Sequence, residues 1–197
     1  MKKDTFVKKV FFHEAICHLA TVCNFGGRPN ITASHAMAVL NETHLYRGTT
    51  KARVRQYFQD VQLPISQFRN KEYFHIASLG NPGQVAIPDR PEFTKNIYSR
   101  AFAPRLAGDG DDVLKNWLEF AIRMIASLYQ LGGKTWVTAE GLAKVISICG
   151  FYNDAPAEDV KVVLASMNLP MNFENSKAEF NIQNCQILIN NNKESLK

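Results

Sequence analysis

The sequence predicts a mainly helical α+β chain with short β-hairpins, built as two tandem copies of one unit. Three observations lead there. The chain matches itself at an offset of 106 residues, each matching stretch carries three apolar patterns of helical period, and each closes with Leu-Pro and a short hairpin pattern.

The self-match lays 10–76 over 116–182 without a gap, with 15 identities in 67 positions. The identities fall where structure demands them. Gly26, Gly27, Thr32 and Ala33 meet Gly132, Gly133, Thr138 and Ala139; Val39, Tyr46 and Val54 meet Val145, Tyr152 and Val160. Leu63-Pro64 meets Leu169-Pro170, and Phe74 and Ile76 meet Phe180 and Ile182.

Each copy opens with an amphipathic helix whose buried face is Phe12, Ala15, Ile16, Leu19 and Cys23, or Leu118, Ala121, Ile122, Ile125 and Tyr129. A Gly-Gly pair ends it by supplying a left-handed backbone. Thr32 or Thr138 then caps a shorter helix with Ala36, Val39 and Leu40, or Leu142, Val145 and Ile146, inside.

A turn through Leu45 to Gly48 precedes a third helix capped at Thr49 or Thr50, with Val54, Tyr57, Phe58 and Val61 inward. In the second copy Asp154 or a neighbour caps, Pro156 sits in the first turn, and Val160, Val163, Leu164 and Met167 face inward. Leu-Pro stops each third helix. The hairpins follow: 65–68 and 73–76 about a turn at Arg69, Asn70 and Lys71, then 171–173 and 179–182 about 174–178.

Three helices and a two-stranded hairpin, with a tight turn between helices two and three, resemble the winged helix-turn-helix family, twice over and across about 140 of the 197 residues. The resemblance implies two tandem winged-helix domains, at 1–83 and 113–189, joined by 84–112 and followed by a polar tail at 190–197. In the joining segment Pro91 can open a helix that shares Phe93, Ile97 and Ala101 on one face and ends at Pro104, ahead of an acidic loop at 108–112. With Phe102, that short helix needs a partner surface.

Charge separates the copies. Residues 1–83 hold 11 Lys and Arg against 5 Asp and Glu, whereas 113–189 hold 6 against 7. In the family the third helix enters the major groove. Here it carries Arg47, Lys51, Arg53, Arg55, Gln56 and Gln59, and Lys51, Arg55 and Gln59 form one stripe at i, i+4 and i+8. Thr49 and Thr50 sit at its start, and Arg69, Asn70 and Lys71 at the hairpin tip complete the expected DNA-binding set. Cations neutralise phosphates, and Arg and Gln pair with guanine and adenine edges. Lys2, Lys3, Lys8 and Lys9 read as a basic arm ahead of helix one. The second copy offers Asp154, Glu158 and Asp159 instead, which would repel phosphate, so its expected role is protein contact.

The four cysteines form no C-x-x-C pair, the start lacks a leader-like apolar run, and no stretch is apolar enough to span a membrane; together these read as a soluble cytoplasmic protein. His13-Glu14 with His18 is one residue too long for a zinc-protease motif. His13 and Cys17 share a face near Cys23, but their counterparts Glu119, Arg123 and Tyr129 favour ordinary surface and core positions. The Gly-Gly pairs lack the Lys-Ser or Lys-Thr of a phosphate loop.

The expectation is therefore a non-enzymatic protein with no cofactor and no metal that binds double-stranded DNA. It is read as a nucleoid-associated transcriptional regulator of a prokaryote or mobile element, homodimeric or holding a protein partner through domain two and the connecting helix. Two alternatives stay open: an assembly adaptor similar to those of chromosome-condensing complexes, and a plasmid or phage replication initiator.

Overall fold

The computed structural model describes residues 2–80, 85–91, 112–174 and 177–185, with the backbone alone at 2–10 and 174. The expected connecting helix, with Phe93, Ile97, Ala101 and Phe102, and the tail at 190–197 lie outside these residues.

The chain is α+β, with six α-helices and two three-stranded antiparallel sheets among the described residues. The order is α1 (Lys2–Phe25), β1 (Asn30–Ile31), α2 (Ala33–Glu42), α3 (Lys51–Asp60), β2 (Ile65–Phe68), β3 (Lys71–His75) and a 3-10 turn (Ala77–Leu79). Then come α4 (Asp112–Leu131), β4 (Trp136–Thr138), α5 (Ala139–Cys149), α6 (Ala157–Ser166), β5 (Met171–Glu174) and β6 (Lys177–Asn181). The sheets are ordered β1-β3-β2 and β4-β6-β5. Their registers keep the 106-residue offset: Asn30 faces His75 as Trp136 faces Asn181, and Ile65 faces Phe74 as Met171 faces Phe180.

The helical period fills the core as expected. Phe12, Ala15, Ile16, Leu19 and Cys23 are buried, as are Leu118, Ala121, Ile122, Ile125 and Tyr129, and one apolar cluster runs through both units. Thr32 and Thr138 are the N-caps of α2 and α5, accepting from the amides of His35 and Gly141 at 3.1 Å each. Thr50, not Thr49, caps α3 and accepts from Arg53 N. Among the described residues no helix is long and apolar enough to cross a membrane.

Several boundaries differ from expectation. α1 begins at Lys2, so Lys2, Lys3, Lys8 and Lys9 belong to the helix rather than to an arm ahead of it. Pro156 stands at the N-cap of α6, one position before the first turn, and no side chain caps that helix; Asp154 instead takes a left-handed φ of 52°. Val61, expected inside, is the C-cap of α3 and 36% exposed. Lys71 begins β3 instead of lying in the turn, because the two-residue turn Arg69-Asn70 supplies the positive φ pair (48° and 61°) that matches strand twist.

The two glycines of each pair do different work. Gly27 and Gly133, at φ 76° and 75°, are the left-handed residues that let Arg28 N and Lys134 N reach back to Cys23 O and Tyr129 O. Gly26 and Gly132 are small because the units touch there. A Cβ on Gly26 would lie 2.2 Å from Cys149 O, and one on Gly132 would lie 2.1 Å from Thr43 O. Cys149 and Thr43 are themselves 106 apart, so the same contact is made twice, in opposite directions, about a local two-fold.

The flanking cations repeat the relation. Arg28 donates to Ile148 O at 3.1 Å and Lys134 to Glu42 O at 3.2 Å, each meeting the open carbonyls at the end of the other unit's helix. Arg28 also reaches Asn153 Oδ1, and Lys134 pairs with the Glu42 carboxylate. Arg90 closes the seam from the connecting segment, donating to Gly26 O and Gly150 O while lying over Trp117.

Alanine substitutions separate these roles. Gly26→Ala and Gly132→Ala are each expected to cost at least about 2 kcal/mol, since packed helix ends must part. Gly133→Ala meets no atom within 4 Å and is expected to cost about 1 kcal/mol through its positive φ alone. Urea denaturation of the three variants checks the order; equal losses would contradict the close-approach account.

Candidate nucleic-acid interface

The turn into α3 is held by Asn41, which no sequence motif singles out. Its Nδ2 donates to Thr49 O at 3.0 Å and its Oδ1 accepts from Gly48 N at 2.7 Å. Ser147 does the second job in the other unit, accepting from Asp154 N at 3.0 Å. With the turn pinned and Thr50 as cap, α3 leaves with Val54 and Phe58 buried against the core.

A helix turns 100° per residue, so the other side chains of α3 divide between two flanks. On the hairpin flank, Lys51 and Arg55 border a cavity of about 390 Å³ with the start of α2 (Thr32, Ser34, His35) and the hairpin residues Gln67, Asn70 and Lys71. Gln59 is exposed one turn beyond Arg55. The structure thus brings Lys51, Arg55, Asn70 and Lys71 together. It adds His35 and Gln67, whose convergence no local sequence pattern announces.

The other flank faces α1. Arg53 donates to Tyr46 Oη at 2.7 Å and lies over the rings of Phe12 and Tyr46, 4.9 and 4.6 Å from their centroids. Gln56 donates to Asp60 at 2.8 Å. Both residues, expected in the DNA-binding set, therefore lie on the opposite flank from the Lys51–Arg55 stripe. Thr49 is buried at 5% exposure and is out of reach of a surface ligand. Arg47 is exposed on the turn, and Arg69 at the hairpin tip lies 5.1 Å over the exposed ring of Phe68.

Arg55 is already engaged. Its Nε and Nη2 make a bidentate pair with Glu72 of β3 at 2.8 and 2.7 Å, tying the hairpin to the helix. These hydrogen bonds, with the charges of Arg55 and Lys51, hold the Glu72 carboxyl below its ordinary range. Burial, then Arg28 and Lys71, holds His35 below the usual imidazole value, so the neutral ring is favoured beside the cations.

The equivalent positions of the second unit carry Ala157, Lys161, Phe173 and Lys177, a sparser set of cations. Asp159, expected on its surface as a repelling charge, is fully buried with Tyr152 Oη 3.4 Å from its carboxylate. Of the three acids expected on that surface, Asp154 and Glu158 are the exposed ones.

The histidine and cysteine group near the N-terminus is spread over separate contacts. His13 Nδ1 meets Tyr57 Oη at 2.5 Å, and burial pushes that phenol up to about 12. Cys17 Sγ lies 3.6 Å from His13 Nε2, while Cys149, hydrogen-bonded to Cys23 and wholly buried, has its thiol raised well above the usual range. Among the described residues no three His, Cys, Asp or Glu side chains gather as a metal site requires. Comparisons with protein-family models, curated proteins and solved structures found no match.

The lowered Glu72 value fixes the sign of a pH effect. The Arg55 pair is intact above the ordinary glutamate range and is lost as pH falls through the depressed value. Carboxyl-detected NMR is expected to place the Glu72 midpoint below that of glutamate in a short peptide, and Arg55→Gln to return it there. An unchanged midpoint in Arg55→Gln would rule out the pairing as its cause.

Proposed function

We propose that the chain is a DNA-binding protein of two tandem winged-helix domains, 1–83 and 113–189, in which the first reads double-stranded DNA. The observation that carries this reading is the convergence of Lys51, Arg55, Asn70 and Lys71 at one open cavity beside α3, while the matching surface of the second domain is poorer in cations. Lys51 and Lys71 are suited to phosphates, and Arg55 and Gln59 to base edges once Glu72 yields. Arg47 and Arg69 flank them. Arg53 and Gln56 support the helix instead.

A regulator of a prokaryote or mobile element, acting at the nucleoid, is the role that best suits one reading domain and one that does not read. The adaptor alternative is favoured by a specific feature of the second domain: Val162, Met171 and Phe173 are 44%, 51% and 68% exposed. Gln56 and Gln67 stand where Val162 and Phe173 do, while Ile65, the counterpart of Met171, is itself 49% exposed. An apolar surface there suits protein contact, and in the adaptor reading neither domain reads DNA.

Fluorescence anisotropy with a labelled random-sequence duplex tests the reading. Binding is expected at low salt, with a log-log salt slope of about −0.9 per phosphate contact. Lys51→Ala and Lys71→Ala should each reduce that slope by about one contact. Glu72→Gln should tighten binding by releasing Arg55, whereas Lys161→Ala should leave it unchanged. Absence of binding at low salt, or equal losses from Lys51→Ala and Lys161→Ala, refutes the assignment.

A further inference from the structure

We propose that the cavity beside α3 seats one backbone phosphate of bound DNA and takes up a proton at His35 as it does so, so that acid tightens the same site. The inference deepens the reading of the first domain as the DNA-binding one and rests on it.

His35, on the first turn of α2, is half-buried and lines the cavity of about 390 Å³. Cations face it from three elements: Lys51 and Arg55 from α3, Lys71 from the hairpin, and Arg28 from the segment before β1. The one acid on that wall is Glu72, already engaged by Arg55.

The second unit shows the same scaffold supplying its own anion. Gly141 stands where His35 does, and the Glu42 carboxylate lies 2.8 Å from the place a Cβ would take there, held by Lys134 at 3.1 Å. The 106-residue offset turns Lys134 into Arg28 and Glu42 into Ile148. The first unit thus keeps the cation of that pair and drops its carboxylate, and Arg28 donates to uncharged oxygens of Ile148 and Asn153. A cation-lined recess whose internal anion has been removed is complementary to an external one. A phosphate diester is the anion that the proposed duplex presents.

The imidazole couples that seating to a proton. Without a ligand, burial, Arg28 and Lys71 favour the neutral ring. A neutral imidazole offers a phosphate one N–H, whereas the imidazolium offers two and a charge. An anion among these cations offsets their field at the ring and lifts its midpoint. Binding then takes up a proton, and by linkage affinity rises as pH falls from the raised midpoint of the complex to the lowered one of the free chain. Glu72 stays ionised over that span, because its carboxyl is held below the ordinary range, so release of Arg55 does not contribute.

Fluorescence anisotropy with the labelled duplex, at fixed low salt from about pH 8 to about pH 5.5, tests the coupling. The wild-type chain is expected to tighten about tenfold, which corresponds to a one-unit rise in the His35 midpoint. His35→Gln should lose that rise, and His75→Gln, at a ring paired with Asn30 outside the cavity, should keep it. Imidazole NMR of the full chain reads the His35 midpoint directly, and bound duplex should raise it. If His35→Gln fails to fold, that wild-type midpoint decides. Duplex binding that is flat with pH, a rise that survives in folded His35→Gln, or a midpoint unmoved by bound duplex overturns the proposal. Absence of duplex binding at low salt is the separate failure of the DNA reading. Dimethyl phosphate then decides the cavity alone: a raised His35 midpoint sustains the anion seat, and an unmoved one overturns it.

Discussion

At the seam between the units, the ends of α2 and α5 run directly against the glycines that close α4 and α1. The last carbonyls of a helix have no partners within it and carry the negative end of its dipole. Here they are brought against the other unit so closely that a single Cβ would not fit. The residue after each Gly-Gly pair must then be a cation long enough to reach those carbonyls, and Arg28 and Lys134 are. One constraint accounts for a small residue, a left-handed glycine and a basic residue in succession, and for the recurrence of all three. Arg90 departs from the symmetry because one connecting segment supplies it, and it donates to carbonyls of both units at once.

Around that shared seam the units diverge by exchanging partners while keeping geometry. Tyr46 and Tyr152 occupy matching places before the third helix, yet Tyr46 Oη receives a hydrogen bond from Arg53 and Tyr152 Oη gives one to Asp159. A hydroxyl both donates and accepts, so one scaffold tolerates a reversal of charge at the next position. The reversal has a consequence for reading charge from sequence. Asp159 looks like a repelling surface group, but the acid is internal and the surface contrast between the units rests on other residues.

The helical cores were legible because their signal is local: burial every three or four residues is written within each helix, and repetition at one offset doubled it. The caps at Thr32, Thr50 and Thr138 were legible for the same reason. β1 and β4 were missed because two- and three-residue strands carry no alternation to read, and they exist only through pairing with β3 and β6. The role of Gly26 was hidden because a close approach depends on Cys149, 123 residues away, and not on its own backbone. For the candidate site, the i, i+4 spacing of Lys51 and Arg55 was legible in the sequence, whereas their convergence with Asn70 and Lys71 on one cavity is a tertiary feature. Arg53 and Gln56 were grouped with them because one-dimensional proximity does not show which flank of a helix meets α1.

That division of α3 bears on how a single chain could hold DNA. On the proposed reading, one face offers Lys51, Lys71 and an Arg55 already neutralised by Glu72, with Arg47 and Arg69 at its margins. Affinity for a duplex rises with the number of phosphates neutralised, so so small a set implies weak binding by one copy. The Arg55–Glu72 pair then acts as a threshold. A phosphate or base edge must compete with a bidentate carboxylate before Arg55 contributes. The two flanks of this single ten-residue helix thus differ in kind: one carries the cations beside the hairpin, and the other lays Arg53 over Phe12 and Tyr46 to hold α3 against α1.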